Sequence, residues 1–184
     1  MDVPGVPRFE VAPHHCFACG TTNQRGLGLY LHVEPRIAWT TLTLERDFQG
    51  WDGIAHGGII ATVLDEVMAW SLAGTDDWGV TARMAIAFRA PVPIDVPLRA
   101  EGRIAQQRRR VIETTGRLLS VVDGSVLATA TGTYVAADEA RKAELRERYG
   151  LRAVDADTLG PVAARRSVTP EATKAVPATA VLPG

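Results

Sequence analysis

The stretch GWDGIAHGGIIATVLDEVMAWSLA, residues 50–73, places the strongest limit on how this chain folds. A glycine-broken loop, Gly50-Trp51-Asp52-Gly53, leads through His56-Gly57-Gly58 into an almost unbroken apolar run from Ile59 to Leu72. The run is long enough for about four helical turns. A helix that is apolar all round is enclosed by protein or lipid. This one is too short, and too acidic in its middle, to span a bilayer. It is therefore expected to be a core helix wrapped by a sheet. Two carboxylates, Asp65 and Glu66, interrupt it. Buried acids are rare unless paired or functional.

Gly57 and Gly58 are expected to form the first turn, whose backbone N–H groups have no intrahelical partner. Those donors and the positive end of the helix dipole suit an anion or a developing oxyanion. Glycine lets a carbonyl come close to the backbone. Asp65 lies eight residues after Gly57, about 12 Å along the axis at 1.5 Å per residue. That is too far for one active site on one helix. Two antiparallel helices from two copies would bring Gly57 of one chain beside Asp65 of the other.

The run Phe48-Gln-Gly-Trp-Asp-Gly-Ile-Ala-His-Gly-Gly-Ile-Ile-Ala-Thr-Val-Leu-Asp-Glu resembles the signature of hotdog-fold acyl-CoA thioesterases of the phenylacetyl-CoA thioesterase type. The upstream run Cys16-Phe-Ala-Cys-Gly-Thr-Thr-Asn-Gln-Arg-Gly-Leu-Gly-Leu is similar to the lead-in of one subgroup. The resemblance covers residues 14–137. It implies an α+β hotdog fold, with one long central helix wrapped by a mainly antiparallel six-stranded sheet. It also implies a homodimer or dimer of dimers acting on acyl-CoA. The catalytic acid falls on Asp65 rather than Glu66, and Thr81 falls where the resembling enzymes place a Ser or Thr that positions the attacking water. One departure stands out: where some relatives carry a side-chain amide, this chain has Gly50, with Gln49 and Asp52 as neighbours.

With 46% hydrophobic residues, the 184-residue chain has enough apolar content for one domain. Twenty basic and 21 acidic residues leave a net charge of −1, which gives no footprint for nucleic acid or an acidic membrane surface. No run has a signal-peptide layout or membrane length, so a cytoplasmic location without membrane attachment is expected. The two cysteines, Cys16 and Cys19, follow His14 and His15. A CxxC beside histidines can hold zinc, but the usual second ligand pair is missing. The expectation is that Cys16-Phe17 and the following turn pack a strap onto the sheet, with neither metal nor cofactor.

Period-two alternation predicts strands at 26–34, 37–44, 80–89, 98–104, 111–122 and 126–135. In the first, His32 falls on the polar face and reads as a surface residue. In the third, Val80, Ala82, Met84, Ile86 and Phe88 alternate cleanly against Thr81, Arg83, Ala85, Ala87 and Arg89. Asp123-Gly124 signals a hairpin. The expected organisation is an N-terminal strap at 1–25, the hotdog domain at 26–137, a charged terminal helix at 138–149 and a disordered tail at 150–184.

The reading is a thioesterase in which Gly57 N–H polarises the thioester carbonyl. Asp65 of a partner chain serves as general base or nucleophile. His56 contacts the thioester or caps the helix. Gly58 and Glu66 line the substrate, while Arg89 and Arg109 meet phosphates such as those of CoA. The alternatives are a non-catalytic acyl-CoA-binding hotdog module, or a dehydratase or hydratase on the same fold.

Overall fold

The structure, a computed structural model, describes residues 8–150 and 152–154. In chain order the strands are β1 (Arg8–Glu10), β2 (His32–Glu34), β3 (Ile37–Thr43), β4 (Gln49–Trp51) and β5 (Ile54–Ala55). The long helix α1 (Gly57–Ala73) follows, then β6 (Gly79–Phe88), β7 (Pro97–Arg108), β8 (Val111–Ser120) and β9 (Val126–Ala136). Helix α2 (Glu139–Tyr149) and strand β10 (Arg152–Val154) complete the described part. The main sheet has the order β10-β1-β2-β3-β7-β8-β9-β6, and every pairing in it is antiparallel. The run from β2 to β6 in that order holds the six strands expected. Two three-residue strands, β1 and β10, extend one edge.

Glycines let α1 settle into the sheet. A Cβ on Gly102 of β7 would lie 2.2 Å from the Val67 carbonyl oxygen, so helix backbone rests directly on strand backbone. Gly102 pairs with Gly116 on β8, and Met68 spreads over Gly116 and Gly132. Around this groove Val63, Leu64, Val67, Met68 and Leu72 are almost wholly buried, with Leu98, Ile112, Leu118 and Tyr134 from the strands. Removing such side chains from water is the main force holding the layers together. This is the single wrapped helix of the hotdog arrangement.

Several local expectations change. The chain from 26 to 31 is not a strand. Leu27 N–H donates to Phe17 O and Leu29 N–H to Ala18 O, so the strap takes the backbone bonds that a sheet neighbour would have used. The strap's buried anchor is Ala18, whereas Phe17 stays 44% exposed. His32 is buried rather than on the surface, stacked on Trp39 with ring centroids 3.7 Å apart. The alternation of β6 is interrupted by a register shift between Thr81 and Arg83. Of the tail expected to be disordered from residue 150, Arg152–Val154 pairs with β1. Residues 155–184 lie outside the described residues, as do the first seven of the strap. The terminal helix stands as expected, exposed and capped by the Asp138 side chain, which accepts from Arg141 N–H.

Candidate active site

The loop before α1 is shaped to present the helix start. Gly53, at φ 77°, turns the β4–β5 hairpin, and its N–H donates to Gln49 Oε1 at 3.1 Å. Gln49 therefore closes the loop. A Cβ on Gly50 would press on the His56 ring at 3.3 Å, so glycine at 50 leaves room for that imidazole. His56 is the N-cap: its Nδ1 accepts from Gly58 N–H at 2.9 Å. Capping consumes one of the two glycine amides. Gly57 N–H donates to no group among the described residues. A single free donor at the positive end of α1 suits a carbonyl oxygen gaining negative charge. Phe88, the last residue of β6, lies against Gly57, 3.4 Å from where a Cβ would sit.

Two turns further along, the Asp65 carboxylate is held by one oxygen only. Oδ1 accepts from Thr81 Oγ1 at 2.8 Å and from Tyr134 OH at 2.7 Å. The same phenol lies 3.1 Å from the Asp65 carbonyl. Oδ2 has no hydrogen-bond partner among the described residues. Burial, and then the Asp65 charge, push the Tyr134 phenol well above its ordinary pKa, so it remains a donor at any working pH. Resemblance singled out Thr81 as the residue that positions the attacking water; in the structure it donates to Asp65. Tyr134 was not singled out: its place in β9 reads in sequence as one more inward residue. The signal was a polar hydroxyl at the wholly buried end of an alternating strand, where a partner is required.

Glu66 turns the other way. Its Oε1 accepts from Trp70 Nε1 at 2.8 Å, and Oε2 lies 4.0 Å from Cys16 Sγ on the strap. Burial raises its pKa to about 7. It does not share a hydrogen-bond partner with Asp65. Arg89 follows β6 at the Gly57 end. With Glu101, Arg103 and Arg117 it lines an open trough of about 520 Å³ along the sheet. Arg109 sits at the β7–β8 turn with φ 53° and is exposed. Within one chain, then, Asp65, Thr81 and Tyr134 come together, His56 joins Gly57 and Gly58, and the two arginines lie apart.

The thioesterase superfamily model matches residues 52–126, from the β4–β5 loop through α1 to the start of β9. A solved thioesterase superfamily protein superimposes with a TM-score of 0.61 at 28% identity, covering 66% of this chain and 60% of its own. The chain thus spans less than two thirds of that protein. A Streptococcus mutans protein bound to acetyl CoA matches at TM-score 0.56 and 20% identity, over 59% of this chain and 88% of its own. The E. coli PaaI protein from the phenylacetic acid degradation operon matches at TM-score 0.56 and 17% identity, over 59% and 83%. No curated protein matches the chain. Residues 52–126 carry the thioesterase superfamily sequence pattern, and the domain that contains them has the hotdog fold of that superfamily's solved members.

Proposed function

We propose that this protein hydrolyses an acyl-CoA thioester at sites shared by two copies of the chain. The observation that carries the reading is the Asp65 carboxylate, fixed through Oδ1 by Thr81 and Tyr134 with Oδ2 open. Two donors on one oxygen orient the other toward a reacting atom.

The second half of the site comes from β6. This ten-residue strand forms one end of the sheet, and Val80 and Phe88 on it are 71% and 54% exposed. A long apolar edge invites another strand. A two-fold antiparallel pairing centred between Met84 and Ala85 sets Thr81 of one copy opposite Phe88 of the other. Thr81 touches Asp65, and Phe88 lies against Gly57. Asp65 of one copy then faces Gly57 of its partner. The distance along one helix, about 12 Å, ceases to matter.

In this geometry Gly57 N–H receives the thioester carbonyl oxygen as charge develops on it. Asp65 Oδ2 takes a proton from the attacking water, or itself adds to the carbonyl carbon to give an anhydride that water then opens. The carbon–sulfur bond breaks and the CoA thiolate leaves, gaining a proton from solvent. Arg89, just past β6, and Arg109, on the β7–β8 turn, would meet the nucleotide phosphates. The acetyl CoA held by the Streptococcus mutans protein and the operon of the E. coli protein both support this substrate class.

The test is thiol release from a panel of aromatic and aliphatic acyl-CoAs. Asp65→Asn should lose at least 10²–10⁴-fold in kcat with an unchanged circular dichroism spectrum. Tight binding of acyl-CoA by wild-type protein with no thiol released would establish a binding module instead. In a single turnover in ¹⁸O-water, label found in Asp65 by mass spectrometry establishes the anhydride route, with water opening the anhydride at the Asp65 carbonyl carbon.

A further inference from the structure

On the opposite flank of α1 from Asp65, the strap and the helix assemble a second cluster. Cys16 Sγ, Cys19 Sγ and a Glu66 carboxylate oxygen all lie within 4.8 Å of one another. His14 Nε2 stands 3.2 Å from Cys19 Sγ. The four donors are two sulfurs, one imidazole nitrogen and one carboxylate oxygen. Cys16, Cys19 and Glu66 are the compact group, which His14 meets through Cys19, and their separations compare with the edges of a coordination tetrahedron. With metal–sulfur bonds of about 2.3 Å and metal–nitrogen or –oxygen bonds of about 2.0–2.1 Å, those edges would be roughly 3.3–3.8 Å. The observed pairs, 3.2 Å for His14–Cys19 and 4.0 Å for Cys16–Glu66, bracket that range.

The groups behind these donors are set for the same purpose. His14 Nδ1 lies 3.1 Å from Ala12 O. Nδ1 thus carries the hydrogen, and the Nε2 lone pair points at the cluster. The spare oxygen of Glu66, Oε1, is held by Trp70 Nε1. Imidazole bonded to a backbone carbonyl and carboxylate bonded to a donor are the usual supports of metal ligands. The loop is equally constrained. Gly20 N–H donates to Cys16 O, Thr22 Oγ1 donates to His14 O, and a Cβ on Gly20 would fall 2.3 Å from Cys16 O. Only a glycine closes this turn with both sulfurs on one side.

We propose that Cys16, Cys19 and Glu66, with the neighbouring His14 drawn in beside Cys19 as fourth ligand, bind one zinc ion that fastens the N-terminal strap to α1. Two thiolates with one nitrogen and one oxygen suit zinc better than calcium or magnesium, which take oxygen donors. Binding releases the two thiol protons to solvent, and nothing is oxidised or reduced. Four protein ligands leave no open position, so the ion is structural and stands outside the thioester chemistry.

Full-length protein without a histidine tag, expressed with added zinc and purified under reducing conditions, should retain about one zinc per chain through gel filtration, by plasma mass spectrometry. Cobalt exchanged into it should show a thiolate-to-metal charge-transfer band and strong tetrahedral visible bands. Glu66→Gln changes one helix side chain isosterically and should fold; it should weaken zinc binding at least tenfold in a chelator competition. Cys16→Ser with Cys19→Ser should abolish the charge-transfer band. Protein that emerges metal-free, with both thiols reacting freely in excess zinc, overturns the proposal. So does an equal zinc affinity for wild type and Glu66→Gln, or retention of iron or copper in place of zinc.

Discussion

Tyr134 shows how one hydroxyl organises the Asp65 carboxylate. It donates to Oδ1 at 2.7 Å and shares that oxygen with Thr81. Hydrogen bonds to charged groups contribute about 1.5–3 kcal/mol each. Tyr134→Phe removes one donor while keeping the ring in the core. The expected result is a fall in kcat of about tenfold or more, with KM nearly unchanged because the phenol touches Asp65 and not the substrate. Steady-state kinetics on the best acyl-CoA checks this. A rise in KM with kcat intact would instead put Tyr134 in substrate binding. His56 illustrates a different lesson. Its imidazole caps α1 through Gly58 N–H, so its effect on the Gly57 amide is to leave it as the one free donor.

The contact between α1 and β7 depends on the absence of a side chain. Gly102→Ala would force a methyl to within 2.2 Å of helix backbone, with no flexible side chain to yield. The helix must lift, and overpacking of this kind costs about 1–3 kcal/mol or more. A thermal melt should show Tm lower by at least about 5 °C. On the other face of the same strand, Glu101 bridges Arg99 on its own strand and Arg117 on β8, each at 2.6 Å. Burial alone would raise the Glu101 pKa, but the two guanidinium bonds outweigh it and hold the carboxyl below its ordinary range. A group ionised more easily when folded stabilises the fold above its unfolded pKa, about 4.3. That stability is lost as pH falls through the lower folded value. Glu101→Gln should therefore cost about 1 kcal/mol or less at pH 7, given screening of the partly exposed arginines. The difference should shrink as melts are taken below the unfolded pKa and vanish once the pH falls below the lowered folded value. A gap that persists in acid would mean packing, not charge, is lost.

The whole molecule is incomplete as an enzyme if the two halves of its site lie at opposite ends of β6. Complementation tests this. Asp65→Asn and Gly57→Val chains, each inactive alone, are unfolded together and refolded. Random pairing makes half the dimers mixed, and each mixed dimer carries one intact site and one doubly damaged site. About a quarter of wild-type activity per total site should return. A mixture as inactive as its parents, with mixed dimers demonstrated, would end the two-chain mechanism.

Much of this architecture was legible along the chain. The span of α1, the four long strands after it, the Asp123-Gly124 turn and the spacing from Gly57 to Asp65 all rest on periodicity, turn chemistry and helix rise, which act between residues close in sequence. Resemblance singled out Thr81 as a residue that positions the attacking water, and its contact with Asp65 came from the fold. Other features arise between residues far apart. Tyr134 meets Asp65 across 69 positions, and Cys16 meets Glu66 across 50. His32 looked like a surface residue by alternation, yet the pairing of β2 with β3 lays it on Trp39. The strap took over the hydrogen bonds of residues 27–29 and shortened β2 to three residues. Each of these depends on strand register and on where a loop folds back, and a one-residue slip in register would exchange every such partner. Local pattern therefore identified the elements and resemblance singled out Asp65, while the donors to Asp65 and the side chains gathered around Glu66 were decided by how the elements pack.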